Sequence, residues 1–92
     1  MIKVIKEFIV ENENGLHARP SASFVKIANE FQSHIEIINE NGDFANGKSI
    51  LGIMCLCASN GDKLKVIAEG HDANDAIFAL ENLFKNKFEN VT

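Results

Sequence analysis

The chain predicts an α+β open sandwich with the element order β-α-β-β-α-β-α, and three features carry that prediction. Some stretches alternate apolar and polar residues with a period of two, which marks a strand with one buried face. Others place apolar residues three and four positions apart, which makes one stripe along a helix. Short loops rich in Asn, Gly and Asp separate them, and no linker, internal repeat or low-complexity tract interrupts the 92 residues. That length suits one compact domain, 1–92, with no room for a second core. Four short strands with every helix on one face form a two-layer arrangement that buries both stripes together.

The elements follow in order. Residues 2–10 are rich in isoleucine and valine and read as the first strand, with Phe8 and Val10 on one face and Ile9 on the other. Asn12-Glu13-Asn14-Gly15 is a loop. Over residues 19–31, Phe24, Ile27, Ala28 and Phe31 fall at i, i+3, i+4 and i+7, one face of an amphipathic helix. Residues 35–39 read as a strand, Asn41-Gly42 as a tight hairpin turn and Phe44-Ala45 as a short return strand. Ser49 then stands before the strongly apolar residues 50–56, a short helix with a serine N-cap worth about 1 kcal/mol. Asn60-Gly61 is another turn. Residues 63–69 form the fourth strand, in which Leu64, Val66 and Ala68 alternate with Lys63, Lys65 and Glu69. Asp72 is placed to cap a final helix whose buried stripe is Ala76, Ile77, Leu80, Leu83 and Phe84. Residues 88–92 are expected to fray, and Gly47 is read as flexibility leading into the Ser49 segment.

Composition removes several classes of function. A hydrophobic content of 46% argues against disorder. No apolar run approaches the roughly 18 residues that span a bilayer. Met1-Ile2-Lys3-Val4-Ile5-Lys6 mixes charge with apolar residues, unlike a signal peptide's apolar region. A cytoplasmic location with no membrane association is expected. The formal net charge is −4 and the eight lysines are scattered, so the basic footprint that nucleic acid demands is missing. Cys55 and Cys57 are too few and too close for a disulfide framework and have no ligands nearby to complete a zinc site. They are expected to be small buried apolar side chains, and no metal or cofactor is expected.

The densest chemistry lies in Gly15-Leu16-His17-Ala18-Arg19-Pro20, which holds the chain's one arginine beside its one proline. Proline suits the first turn of a helix, where its missing N–H would have no partner. Glycine permits the tight or left-handed backbone that feeds such a start. A helix beginning near Ala18 or Arg19 would aim free N–H groups and its positive dipole end at whatever His17 carries. Arginine adds a planar fork of donors for phosphate oxygens. A neutral imidazole is itself a nucleophile near neutral pH and can take a phosphoryl group covalently.

Gly-Leu-His-Ala-Arg-Pro resembles the active-site motif of HPr, the histidine phosphocarrier family of the bacterial sugar phosphotransferase system. A second segment, Lys48-Ser49-Ile50-Leu51-Gly52-Ile53-Met54, is similar to the stretch that holds that family's regulatory serine. The resemblance runs over nearly the whole chain and implies an antiparallel four-stranded sheet covered on one face by three helices. It implies that His17 carries a phosphoryl group on Nδ1, with Arg19 neutralising charge and the backbone N–H groups of Ala18 and Arg19 binding phosphate oxygens. The donor would be Enzyme I, drawing on phosphoenolpyruvate, and the acceptors the IIA components of sugar permeases. Ser49 would be phosphorylated by an HPr kinase/phosphorylase and read by a transcriptional regulator. Phosphate is compatible with a helix N-terminus, so capping and modification of Ser49 do not exclude each other.

Docking is assigned to the apolar side chains left over by so short a helix, Ile50, Leu51 and Met54, with Ile53 as a further member and Phe24 and Lys26 added from the first helix. Cys55 and Cys57 stand where the family commonly has serine and glycine, which leaves open an oxidation-sensitive surface thiol. The 39–43 hairpin is about one residue longer than is common in the family, a change that a turn far from the site tolerates. A monomer is expected, acting as a carrier and not as a stand-alone catalyst. Two alternatives remain: a regulatory paralogue of the nitrogen-related phosphotransferase branch, and a non-catalytic ligand-binding module. The second would need a further ligand set near His17.

Overall fold

Leu64, Val66 and Ala68 are fully buried along β4 (Lys63–Glu69), while Lys63, Lys65 and Glu69 between them face solvent. The strands at His34–Ile38 and Phe44–Asn46 alternate in the same way, while the one at Lys3–Ile9 buries only Phe8, in the computed structural model, which describes residues 1–88. The order is β1 (Lys3–Ile9), α1 (Ala18–Ala28), β2 (His34–Ile38), β3 (Phe44–Asn46), α2 (Ile50–Cys55), β4 and α3 (Ala73–Lys85). The strands form one antiparallel sheet in the order β1-β4-β2-β3, so the last strand of the chain lies between the first two. On the face away from the helices, Lys3 stands opposite Glu69 and Glu7 opposite Lys65, pairs whose opposite charges favour this register.

The three helices cover the face that carries Phe8, Ile35, Ile37, Leu64 and Val66. At its centre Phe84 stacks on Phe8 with ring centroids 4.6 Å apart, and it meets Phe24 and Phe88 edge-on at 6.2 and 5.1 Å. Such geometries add roughly 0.5–1.5 kcal/mol each to the burial itself. Phe24 is therefore a core side chain with no exposed surface and cannot belong to a docking face. Phe88 is likewise packed and not frayed, while residues 89–92 of that expectation lie outside the described residues.

Other expectations are corrected by local chemistry. α1 ends at Ala28, and its buried side includes Ser21 and Ser23, whose hydroxyls donate to the carbonyls of Leu16 and Arg19, both at 3.0 Å. That bonding lets a small polar residue sit in the core without an unmet donor. Asp72 occupies the N-cap of α3 but does not cap it. Its carboxylate accepts from the Ser33 hydroxyl, from Gln32 N–H at 2.8 Å and from Ser33 N–H at 2.9 Å, tying the turn after α1 to the start of α3. Gly47 is a close approach and not a hinge: its N–H donates to Ile35 O at 2.7 Å, and a Cβ there would lie 2.5 Å from the Ile35 side chain. Cys55 and Cys57 are both exposed. α2 has only six residues and buries only Ile53, so its apolar run exceeds the core it can reach.

Candidate functional site

His17 is set by the residues before it. Gly15 takes a positive φ of 69°, and a Cβ there would lie 2.2 Å from the carbonyl oxygen of Ala58, so only glycine fits. Leu16 is buried at 3% exposure, and its N–H donates to that same Ala58 oxygen at 3.0 Å. Ser21 closes the mount from the helix side through its bond to Leu16 O. The chain thus leaves an anchored leucine and presents His17 to solvent as the N-cap of α1.

The imidazole makes no capping bond, and the backbone of His17 is extended. Its carbonyl accepts from Ser21 N–H at 3.0 Å, which closes the first helical turn. Ala18, Arg19 and Pro20 follow in that turn, with Ala18 and Arg19 exposed and Pro20 buried. The N–H groups of Ala18 and Arg19 have no acceptor within the helix, because the first turn has no preceding carbonyls to serve them. An exposed nucleophilic nitrogen therefore stands at the positive end of an eleven-residue helix with free backbone donors, and Arg19 lines the same cleft.

A shallow cleft of about 250 Å³ opens there, lined by Asn12, Glu13, Asn14, His17, Arg19 and Pro20 together with Lys87 and Phe88. Asn12 donates to Gly15 O through its amide, while its own Oδ1 is buried with no partner among the described residues. A second cleft of about 290 Å³, between Glu7, Ile38, Glu40, Lys63 and Lys65, lies elsewhere on the sheet and brings in none of the residues above. Among the described residues no group of three or more His, Cys, Asp or Glu is placed to hold a metal ion. No helix of those residues is long and apolar enough to cross a membrane.

Ser49 lies outside this cleft. It is the N-cap of α2, and its Oγ accepts from Gly52 N–H at 3.0 Å, as its position before the apolar run predicts. The preceding Lys48 reaches back to the turn after α1, its ammonium donating to Phe31 O at 2.8 Å. Leu51 is 75% exposed and Ile50 40%, Met54 is half-buried, and Ile53 is fully buried like Phe24. The apolar surface left on α2, which packs against α1, is thus Ile50 and Leu51 with part of Met54, and Lys26 of α1 is exposed. Sequence reasoning missed Ser21, Asn12 and Lys87. Ser21 sits next to a proline at a helix start, a weak signal, and Lys87 reaches the cleft only through the fold.

A family model described as PTS HPr component phosphorylation site matches residues 4–86. The chain is 42% identical over 86 residues to the phosphocarrier protein HPr of Treponema pallidum (strain Nichols), covering 94% of this chain and 97% of that one. It is 40% identical over 76 residues to the multiphosphoryl transfer protein of Salmonella typhimurium, 80% of this chain against 20% of that longer protein. The crystal structure of HPr-C-His from Thermoanaerobacter tengcongensis superposes with a TM-score of 0.85 at 42% identity, covering the whole of both chains.

Proposed function

Because the chain belongs to the HPr family of phosphocarrier proteins of the phosphotransferase system, we propose that His17 accepts a phosphoryl group from Enzyme I and passes it to the IIA components of sugar permeases. The observation that carries this reading is the uncommitted imidazole of His17 at the N-cap of α1. It is exposed for attack, and the donors needed by three phosphate oxygens are already beside it. Neutral imidazole attacks phosphorus as the P–N bond to the donor histidine breaks, and the reverse step delivers the group to the acceptor. The Ala18 and Arg19 N–H groups and the Arg19 side chain offset charge during each passage. Partners supply the rest, so this protein serves as a phosphorylated intermediate, a monomer of one compact domain working in the cytoplasm.

Ile50, Leu51 and Met54 form the docking surface in this reading. A small patch suits complexes that must separate quickly. Ser49 is the regulatory position, modified by an HPr kinase/phosphorylase and read by a transcriptional regulator. A phosphate of about −2 charge would sit at the start of α2 and change the surface beside Ile50 and Leu51 without unfolding the helix.

The test is incubation with phosphoenolpyruvate and Enzyme I, followed by intact mass on wild type and His17→Ala. One acid-labile phosphoryl group, absent from the variant, is expected. A folded protein that takes no phosphoryl group beside an active Enzyme I control would overturn the sugar-carrier reading and turn attention to the nitrogen-related branch.

A further inference from the structure

Lys87 comes from the other end of the chain, yet it lines the same cleft as His17 and Arg19. Its place is built. After α3, Lys87 N–H donates to Phe84 O and Phe88 N–H to Leu83 O, both at 3.0 Å, with positive φ at both residues (53° and 59°). This pair of bonds reverses the chain and closes the helix end, a turn that an apolar residue packed back on the helix stabilises. Phe88 supplies that residue: it is buried and edge-on to Phe84. The core thereby grips the residue after Lys87, and the ammonium stays on the exposed wall.

Charge gives the placement its meaning. Among the described residues, the charged groups that line the cleft are Glu13, Arg19 and Lys87. Glu13 and Arg19 cancel in formal charge, so among these described residues it is Lys87 that tips the lining to net positive. We propose that Lys87 is a second cation for the phosphoryl group on His17, acting with Arg19 to favour its arrival and retention. The proposal rests on the phosphocarrier reading above and deepens it. No bond to Lys87 forms or breaks: the P–N bond to the donor opens as the bond to His17 forms, and the ammonium remains protonated throughout.

The experiment compares wild type, Lys87→Gln, Lys87→Arg and His17→Ala at low and high salt. Each is phosphorylated by two donors, phosphoramidate, which needs no partner protein, and Enzyme I with phosphoenolpyruvate. Intact mass follows gain and loss of the phosphoryl group. With phosphoramidate, Lys87→Gln is expected to take the group roughly threefold to tenfold more slowly, as for loss of one charge-assisted contact. Lys87→Arg restores the rate, and 1 M salt narrows the difference. Equal rates for wild type and Lys87→Gln at low salt would overturn the proposal while leaving the carrier reading intact. Failure of His17 to be phosphorylated by either donor would overturn the carrier reading itself. A slowed Lys87→Gln that arginine does not rescue, with an unchanged melting temperature, would also count against a role for the charge.

Discussion

α1 and α2 begin with opposite uses of the same position. At the start of α2 the Ser49 hydroxyl accepts from Gly52 N–H, so the helix satisfies one of its own free donors. At the start of α1 the His17 side chain accepts nothing, and the donors of the first turn stay open. A capped end is finished as structure, whereas an uncapped end keeps its donors for a ligand and forgoes about 1 kcal/mol of capping. The start of α3 is a third solution, because Asp72 lends its carboxylate to Gln32 and Ser33 of a neighbouring turn. In the proposed reading, the phosphoryl chemistry sits where local stabilisation has been left undone.

The strongest way to break the contrast is to remove the mount beneath His17. Gly15→Ala forces a side chain into the left-handed region and against Ala58 O. A loss of about 2–4 kcal/mol is expected from strain and overpacking together, read by urea denaturation. Exchanging the two caps sharpens the comparison. Ser49→Ala should cost about 1 kcal/mol while His17 still accepts a phosphoryl group. His17→Asp should raise stability by up to about 1 kcal/mol, since its extended backbone suits a capping side chain, and abolish acceptance. A stability loss in that variant would show that α1 gains nothing from a conventional cap.

The smallest effect concerns Asp72 and is visible only in acid. The Ser33 hydroxyl above all, with the Gln32 and Ser33 N–H groups, lowers its pKa from 3.8 to about 2. A group with a lowered folded pKa contributes stability fully above its unfolded value and loses it as pH falls through the folded one. The contribution should therefore fade from about pH 4 down to about pH 2. Asp72→Asn should flatten the acid limb of a stability profile in that window. An unchanged slope would mean that the bonds to Ser33 and Gln32 do not distinguish charged from neutral side chains.

Much of the fold was legible because its signals are local. The alternation in β4 and the stripe of α3 predicted both elements and their buried faces, and Gly15 to Pro20 predicted where α1 starts and which residue it exposes. The element order was legible too, but the sheet order rested on resemblance, since pairing of β4 with both β1 and β2 is a long-range outcome. Phe24 could be read either as core stripe or as docking residue, and only the packing of Phe8 and Phe84 decides between them. Cys55 and Cys57 misled for a related reason: an apolar run says neither how many of its members a six-residue helix can bury nor that the helix ends before Cys57. Lys87 was invisible, because its nearness to His17 depends on the turn after α3 and on the grip of the core on Phe88.

The segment before Ser49 has a consequence for how that residue would be recognised under the proposed regulation. Gly47 is bolted to β2 through Ile35, Lys48 is tied to the carbonyl of Phe31, and Ser49 closes the first turn of α2. The hydroxyl is therefore displayed by three separate parts of the fold and not by a flexible tail. An enzyme that acted on it would have to read a shaped surface, and a short peptide copied from this segment would be a poor substitute for the folded protein.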